Sequence, residues 1–112
     1  MADTMRLGRL LTLADDVGPV LRALDEVMDP ELGVSITDLG LVYDTTVTEG
    51  VARVVMTTTT PACPIGSFLE DQIRWAVLEL PGIVDVEVVL TYDPVWTPER
   101  MSPSARERLG FR

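Results

Sequence analysis

The sequence predicts a small α/β (α+β) domain with helices packed on a small mixed sheet and elements in the order α-β-β-α-β-α. Three observations lead to this fold class: an apolar stripe at helical spacing, two adjacent alternating segments, and a third alternating segment after a second helical pattern. A chain of 112 residues, 46% of them apolar, can build one core. Because no linker or repeat divides it, we expect one domain over residues 16–112, preceded by an N-terminal arm over residues 1–15.

The first helix is expected between Val17 and Met28. Asp16 can cap it, Pro19 lies in the first turn, where proline is tolerated, and Asp29-Pro30 ends it. The apolar residues at helical spacing, which should face the core, are Val17, Val20, Leu21, Leu24, Val27 and Met28.

Residues 41–48 and 51–58 are predicted to form a hairpin around a two-residue turn at Glu49-Gly50. The turn implies a register, and the facing pairs on the core side are Val47 with Ala52, Thr45 with Val54, and Tyr43 with Met56.

A second helix is predicted from Pro64 to Leu80, stopped by Pro81-Gly82. Its expected core residues are Ile65, Phe68, Leu69, Ile73, Ala76, Val77 and Leu80. Alternation then predicts a third strand over residues 84–91, with Val84, Val86, Val88 and Leu90 facing the core. A last short helix should be capped by Ser102 and stopped by Gly110.

The composition excludes several kinds of site. The chain has neither histidine nor lysine, which removes histidine acid–base chemistry, lysine Schiff bases and the lysine-bearing phosphate loop. A single cysteine excludes an internal disulfide and a closed structural zinc site, and it favours a reducing, cytoplasmic location. No apolar run approaches the roughly 20 residues of a membrane span, so we expect no membrane partner.

Charge is distributed unevenly along the chain. Residues 15–99 carry sixteen acids and three arginines, a net charge of −13, whereas residues 100–112 carry four arginines and one acid, a net charge of +3. An acidic body argues against binding nucleic acid. It suits a basic protein partner or a metal-handling surface, and equally plain solubility.

Cys63, the only cysteine, lies between two prolines at the predicted start of the second helix. Pro64 suits the first helical position, which makes Cys63 the N-cap, and the free N–H groups there favour thiolate over thiol. Gly66 lets a ligand or partner approach the backbone, and the hydroxyls of residues 57–60 supply hydrogen-bond donors. The alternative interpretations are a small buried thiol and ordinary strand threonines.

Five short segments occur in a characteristic order: Asp29-Pro-Glu31, Asp38-Leu-Gly-Leu-Val42, Thr60-Pro-Ala-Cys-Pro64, Trp96-Thr-Pro98 and Met101-Ser102. Over residues 16–109 this pattern resembles the metal–sulfur cluster biosynthesis domain family. That family includes SufT-type iron–sulfur maturation proteins, the eukaryotic cytosolic iron–sulfur targeting factors, and PaaD of phenylacetate degradation. The resemblance implies an iron–sulfur cluster assembly fold and a role in delivering clusters to client enzymes, as an assembly factor rather than a catalyst.

The resemblance also implies a site. Carried over by position, it consists of the functional cysteine Cys63, which is also the one transient metal ligand, with Asp29, Glu31, Asp38 and Trp96 in support. We add Thr60 and Gly66 as neighbours of the thiol. Each has a local interpretation as well: Asp29 ends a helix, Glu31 is a solvated loop acid, Asp38 forms a turn, and Trp96 covers the core.

Ligand counting limits the mechanism, because iron–sulfur clusters usually take four thiolates and one chain offers one. We therefore expect a labile cluster shared between two copies in a homodimer, or held together with thiols of a partner. The resemblance implies client iron–sulfur proteins and a cluster carrier or scaffold ATPase as partners. The alternative is a non-catalytic adaptor, or a PaaD-like accessory protein of a multicomponent oxygenase, with no cluster of its own. PaaD-type proteins continue into a cysteine-rich tail that this chain lacks, so the SufT-like role fits better.

Overall fold

The computed structural model describes residues 16–59 and 66–110, and the expected arm over residues 1–15 lies outside them. The described elements, in chain order, are α1 (Gly18–Asp25), β1 (Val42–Thr48), β2 (Val51–Met56), α2 (Gly66–Leu78), β3 (Asp85–Leu90), a 3-10 turn (Pro98–Arg100) and α3 (Pro103–Arg108). Helices and strands follow one another in the expected order, so the predicted fold class is confirmed.

The three strands form one mixed sheet in the order β1-β2-β3. β1 and β2 are antiparallel across the predicted turn, whereas β2 and β3 are parallel and α2 connects them. Antiparallel neighbours need only a short turn, and parallel neighbours need a crossover, so this topology follows from the order of the elements.

The hairpin register is confirmed in two of the three predicted pairs, Val47 with Ala52 and Thr45 with Val54. The pairing of Tyr43 with Met56 is wrong, because Val42 faces Met56 and a bulge places Tyr43 outside the ladder. The phenol of Tyr43 donates a hydrogen bond to the carbonyl oxygen of Pro94 at 2.8 Å, and the Arg100 guanidinium lies 4.6 Å from its ring centre. The bulge re-aims this side chain toward the residues that follow β3.

The core lies on one side of the sheet, beneath α1 and α2. Helix α1 is shorter than predicted because the chain turns extended after Asp25. The Val27 carbonyl accepts the N–H of Ile36, and the bridge between Met28 and Ser35 continues this pairing. A residue before proline avoids the helical region, which explains why the helix ends before Asp29-Pro30.

Five apolar residues predicted to face the core are instead exposed: Leu21, Met28, Phe68, Val84 and Leu90. In both helices the buried stripe is narrower than the apolar pattern, and α2 buries mainly Leu69, Ile73 and Val77. The cap of α3 is confirmed, since the Ser102 hydroxyl accepts the N–H of Ala105 at 3.2 Å.

Candidate functional site

Three loops meet at one edge of the sheet. The register places Met56, the last residue of β2, beside Val42 at the start of β1 and beside Leu90 at the end of β3. The loop before β1 (residues 29–41), the segment after β2 that contains Cys63, and the segment after β3 (residues 91–102) therefore share this edge, which we call the loop edge. Carboxyl ends of parallel strands are a common place for binding sites.

The chain leaving β2 is held firmly at the loop edge. Thr57 and Thr58 are buried, and the Thr57 N–H donates to the Leu41 carbonyl at 2.8 Å. On the other side, the Thr91 N–H donates to the carbonyl of Met56 at 2.9 Å. The Thr58 hydroxyl donates to the phenol oxygen of Tyr92 at 3.1 Å. The last described residues before the cysteine segment are thus anchored to both neighbouring loops.

Cys63 and Thr60 lie outside the described residues, so the predicted thiolate cap on α2 stays a prediction. Gly66, the first described residue after that segment, is buried in α2. A Cβ built on Gly66 meets the Thr58 methyl at 3.6 Å, an ordinary contact distance. Packing against Thr58 alone therefore does not require glycine at this position, and the suggestion that its bareness serves a ligand stays untested.

Trp96 links the loop after β3 to the loop before β1. Its indole Nε1–H donates to the carbonyl of Leu39 at 2.7 Å, and its ring packs against the core. Buried indoles usually need such an acceptor. Trp96 therefore closes the loop edge over the core, which agrees with its interpretation as a core cover and also places it in the predicted site region.

Residues 38–40 form the tightest approach at this edge. The Asp38 carbonyl accepts the N–H of Ser102 at 2.7 Å, while the Asp38 side chain is exposed. Gly40 adopts a φ of +76°, and a Cβ there would lie 2.3 Å from the Arg100 carbonyl oxygen. Only glycine combines this backbone conformation with so close a contact, so Gly40 holds the 3-10 turn against the loop edge.

The acids of the first motif have different surroundings. Asp29 is 4% exposed, and its Oδ1 accepts the N–H groups of Glu31 at 2.8 Å and Leu32 at 3.0 Å. The Asp29 carbonyl also accepts the N–H of Gly33. This carboxylate organises its own loop, as turn-forming aspartates do. Glu31 is exposed, as expected of a solvated acid.

Sequence reasoning missed Tyr92, Tyr43 and Gly40 as organising residues of this edge. Tyr92 had a usable signal, because it follows β3 directly and residues after adjacent parallel strands meet at one edge. Tyr43 had none, since its contacts are with residues more than fifty positions away.

Within the two described ranges, no group of three or more acidic, cysteine or histidine side chains is placed to hold a metal ion. The acids therefore do not form a metal site of their own there, and the donor chemistry available for an iron–sulfur cluster rests on Cys63. None of the described helices is long and apolar enough to cross a membrane.

Comparison with known proteins gives a consistent result. A family model described as iron–sulfur cluster assembly protein matches residues 19–90. The chain is 40% identical over 94 residues to the Fe-S protein maturation auxiliary factor YitW of Bacillus subtilis, covering 83% of this chain and 92% of that protein. It is 46% identical over 85 residues to the Fe-S protein maturation auxiliary factor SufT of Staphylococcus aureus, covering 75% and 97% of the two chains. A crystal structure of a domain of unknown function, DUF59, from Bacillus anthracis superposes with a TM-score of 0.79 at 35% identity, covering 90% of this chain and 99% of that one.

The oxygenase alternative has weaker support. A putative component of the 1,2-phenylacetyl-CoA epoxidase of Escherichia coli is 40% identical over 103 residues, 90% of this chain, but the match spans only 62% of that protein. The maturation factors match over nearly their whole length, so they are the better guide to this chain.

Proposed function

Since the chain belongs to the family of iron–sulfur cluster assembly proteins, we propose that it acts in the maturation of client enzymes through the thiol of Cys63, with the cluster as its cargo. The assembly and maturation role follows from the family and from the maturation factors that the chain resembles. The part assigned to Cys63, Asp38 and Trp96 is the proposal.

The meeting of three loops at one edge of the sheet carries this proposal. Thr58 bonds to Tyr92 and Trp96 bonds to Leu39, so the ends of β2 and β3 and the loop before β1 form one connected surface. Cys63 is three residues before Gly66, and a trans chain advances at most about 3.8 Å per residue between Cα atoms. The two Cα atoms are therefore within about 11 Å of each other. Covalent geometry thus keeps the thiol close to this edge.

Donor counting then sets what Cys63 does. A conventional cluster takes four thiolates, and this chain supplies one. Cys63 would complete a ligand set together with the Cys63 of a second copy, or with thiols of a carrier or client. Both arrangements are labile, because thiolates from separate chains dissociate, and lability is what a transfer protein needs.

Asp29 and Asp38 have different parts in the proposal. Asp29 spends its carboxylate on two backbone N–H groups, so it holds the loop and does not touch cargo. Asp38 has an exposed side chain on a backbone fixed by Ser102, so it is the acid that is free to contact a partner or orient the thiol.

The test is anaerobic reconstitution with iron and sulfide for wild type, Cys63→Ala and Cys63→Ser. Absorption spectra and native mass report the cluster and the oligomeric state, and activation of an apo iron–sulfur enzyme reports transfer. We expect both variants to keep the far-UV circular dichroism of wild type and to lose transfer. A cysteine-dependent cluster on a dimer would assign the shared form, and loss of transfer without a resident cluster would assign partner thiols.

Normal client activation by Cys63→Ala would contradict the thiol role. In that case the chain would be an adaptor that brings clients to a separate carrier, and charge reversal on its acidic surface would then reduce activation where Cys63→Ala did not.

A further inference from the structure

Helix α2 presents an aromatic and aliphatic surface to solvent. Trp75 is 62% exposed, Phe68 46% and Leu78 44%. At 100° per residue these three side chains lie within about 80° of one another on the helix, on the side opposite the buried Leu69, Ile73 and Val77. We call Phe68, Trp75 and Leu78 the α2 ridge.

The ridge is framed by acids. Asp71 and Glu79 precede and follow Trp75 by four residues, so they lie one turn to either side of it on the same face. Both acids are exposed, and the one ion pair among the described residues joins Arg53 and Glu87 instead. The nearby Arg74 does not neutralise them, since its guanidinium donates to the Val86 carbonyl at 2.6 Å.

From this arrangement we infer that the α2 ridge is a docking surface for a basic segment of a partner protein, one that inserts apolar side chains against Trp75 and pairs arginine or lysine with Asp71 and Glu79. Exposed tryptophan is enriched at the energetic centres of protein interfaces. Arginine also stacks on indole faces, so a basic segment satisfies both the ring and the carboxylates.

The size of the ridge favours a segment over a second copy of the chain. The exposed parts of the three side chains amount to on the order of 300 Å² of apolar surface. A stable dimer buries about 800 Å² on each partner, whereas a single helix or extended segment needs much less. The net charge of −13 over residues 15–99 also opposes a face-to-face contact between two such surfaces.

The charge also selects the class of partner. Anionic lipid surfaces and nucleic acids are repelled by carboxylates placed beside the apolar anchor. This inference is independent of the proposed role of Cys63, because the ridge lies wholly in described residues and its test reads peptide binding rather than maturation.

The experiment has two parts. First, acrylamide quenching of tryptophan fluorescence, compared between wild type and Trp75→Phe, isolates the signal of Trp75. We expect an easily quenched indole at all protein concentrations. An indole shielded at every concentration would mean that the chain covers the ridge itself, and one shielded only at high concentration would assign a second copy; either result overturns the inference.

Second, the full chain is used to select binders from a displayed library of random twelve-residue peptides. We expect enriched peptides with net positive charge and an aromatic or large aliphatic residue. A synthetic peptide of the leading sequence should bind Trp75→Ser at least tenfold more weakly than wild type, and Asp71→Asn with Glu79→Gln several-fold more weakly with less dependence on salt.

Matched controls are Val84→Ser, which removes an exposed apolar side chain beside the β1–β2 turn, and Asp44→Asn, which removes an exposed acid on the open face of the sheet. Both should bind the peptide as wild type does. Enrichment of neutral or acidic peptides, or equal binding by Trp75→Ser, would overturn the inference.

Discussion

The indole N–H of Trp96 donates to the carbonyl oxygen of Leu39 at 2.7 Å, across 57 positions of the chain. This bond joins the segment after β3 to the loop before β1, the same two segments that flank the chain leaving β2. Trp96 thereby fixes two of the three loops around the region where the cysteine segment begins and ends. The loop edge is consequently one cooperative unit rather than three independent loops.

Replacing Trp96 by phenylalanine should lower the free energy of unfolding by about 1 kcal/mol or somewhat more, because the Leu39 carbonyl loses its donor while the ring volume is largely kept. Trp75→Phe is the control, since Trp75 is mostly exposed and should change stability by less than about 0.5 kcal/mol. Urea unfolding measures both variants. Equal effects would show that the Trp96–Leu39 bond has no special weight.

Gly40→Ala should be among the most destabilising small substitutions in the domain. Its Cβ would lie 2.3 Å from the carbonyl oxygen of Arg100, and its φ of +76° disfavours any L side chain. Gly33→Ala separates the two costs, because Gly33 has a φ of +66° but no atom within 4 Å of the added Cβ.

We expect Gly33→Ala to cost about 1 kcal/mol of stability from the left-handed conformation alone. Gly40→Ala should cost clearly more, and it should also release the 3-10 turn, seen as faster hydrogen exchange at the Ser102 amide, which bonds to Asp38. Similar stability losses in the two variants would mean that the turn adjusts without strain.

The two motif aspartates should respond differently to substitution. Asp29→Ala removes the acceptor of two backbone N–H groups from a buried position, so we expect a loss of about 2 kcal/mol. Asp29→Asn keeps an acceptor oxygen and should recover most of that loss along with client activation. Asp38→Ala should leave stability nearly unchanged because the side chain is exposed.

Thermal unfolding and activation of an apo client, measured on the same preparations, separate these roles. A folded Asp29→Asn protein without client activation would return Asp29 to the chemistry of the site. A fully active Asp38→Ala protein would leave Asp38 as a turn former only.

The sequence predicted the fold well where local rules decide the structure. The Glu49-Gly50 turn fixed two strand pairs, and Ser102 followed by Pro103 marked the start of α3, because these signals act over a few residues. Phe68 shows the limit: its helical spacing resembles that of a core residue, but which edge of an apolar stripe faces the sheet depends on tertiary packing.

The candidate site was predictable in part. Position in the chain was enough to place Trp96 and Asp38 near one edge, once the β2–β3 pair was expected to be parallel. The close approach of Gly40 to Arg100 and the bulge at Tyr43 depend on contacts over more than fifty residues, which no local pattern encodes.

A last prediction concerns Thr45, whose Oγ1 is the one buried side-chain oxygen or nitrogen without a hydrogen-bond partner among the described residues. Thr45 faces the buried Val54 across the hairpin. Valine has nearly the same shape and no hydroxyl to bury unpaired, so Thr45→Val should raise the free energy of unfolding by about 1 kcal/mol. Thr46→Val, on the exposed face of the same strand, controls for the strand preference of valine and should change stability by less than about 0.5 kcal/mol. Guanidinium unfolding of both variants gives the comparison, and a loss of stability in Thr45→Val would show that the hydroxyl makes a bond that valine cannot replace.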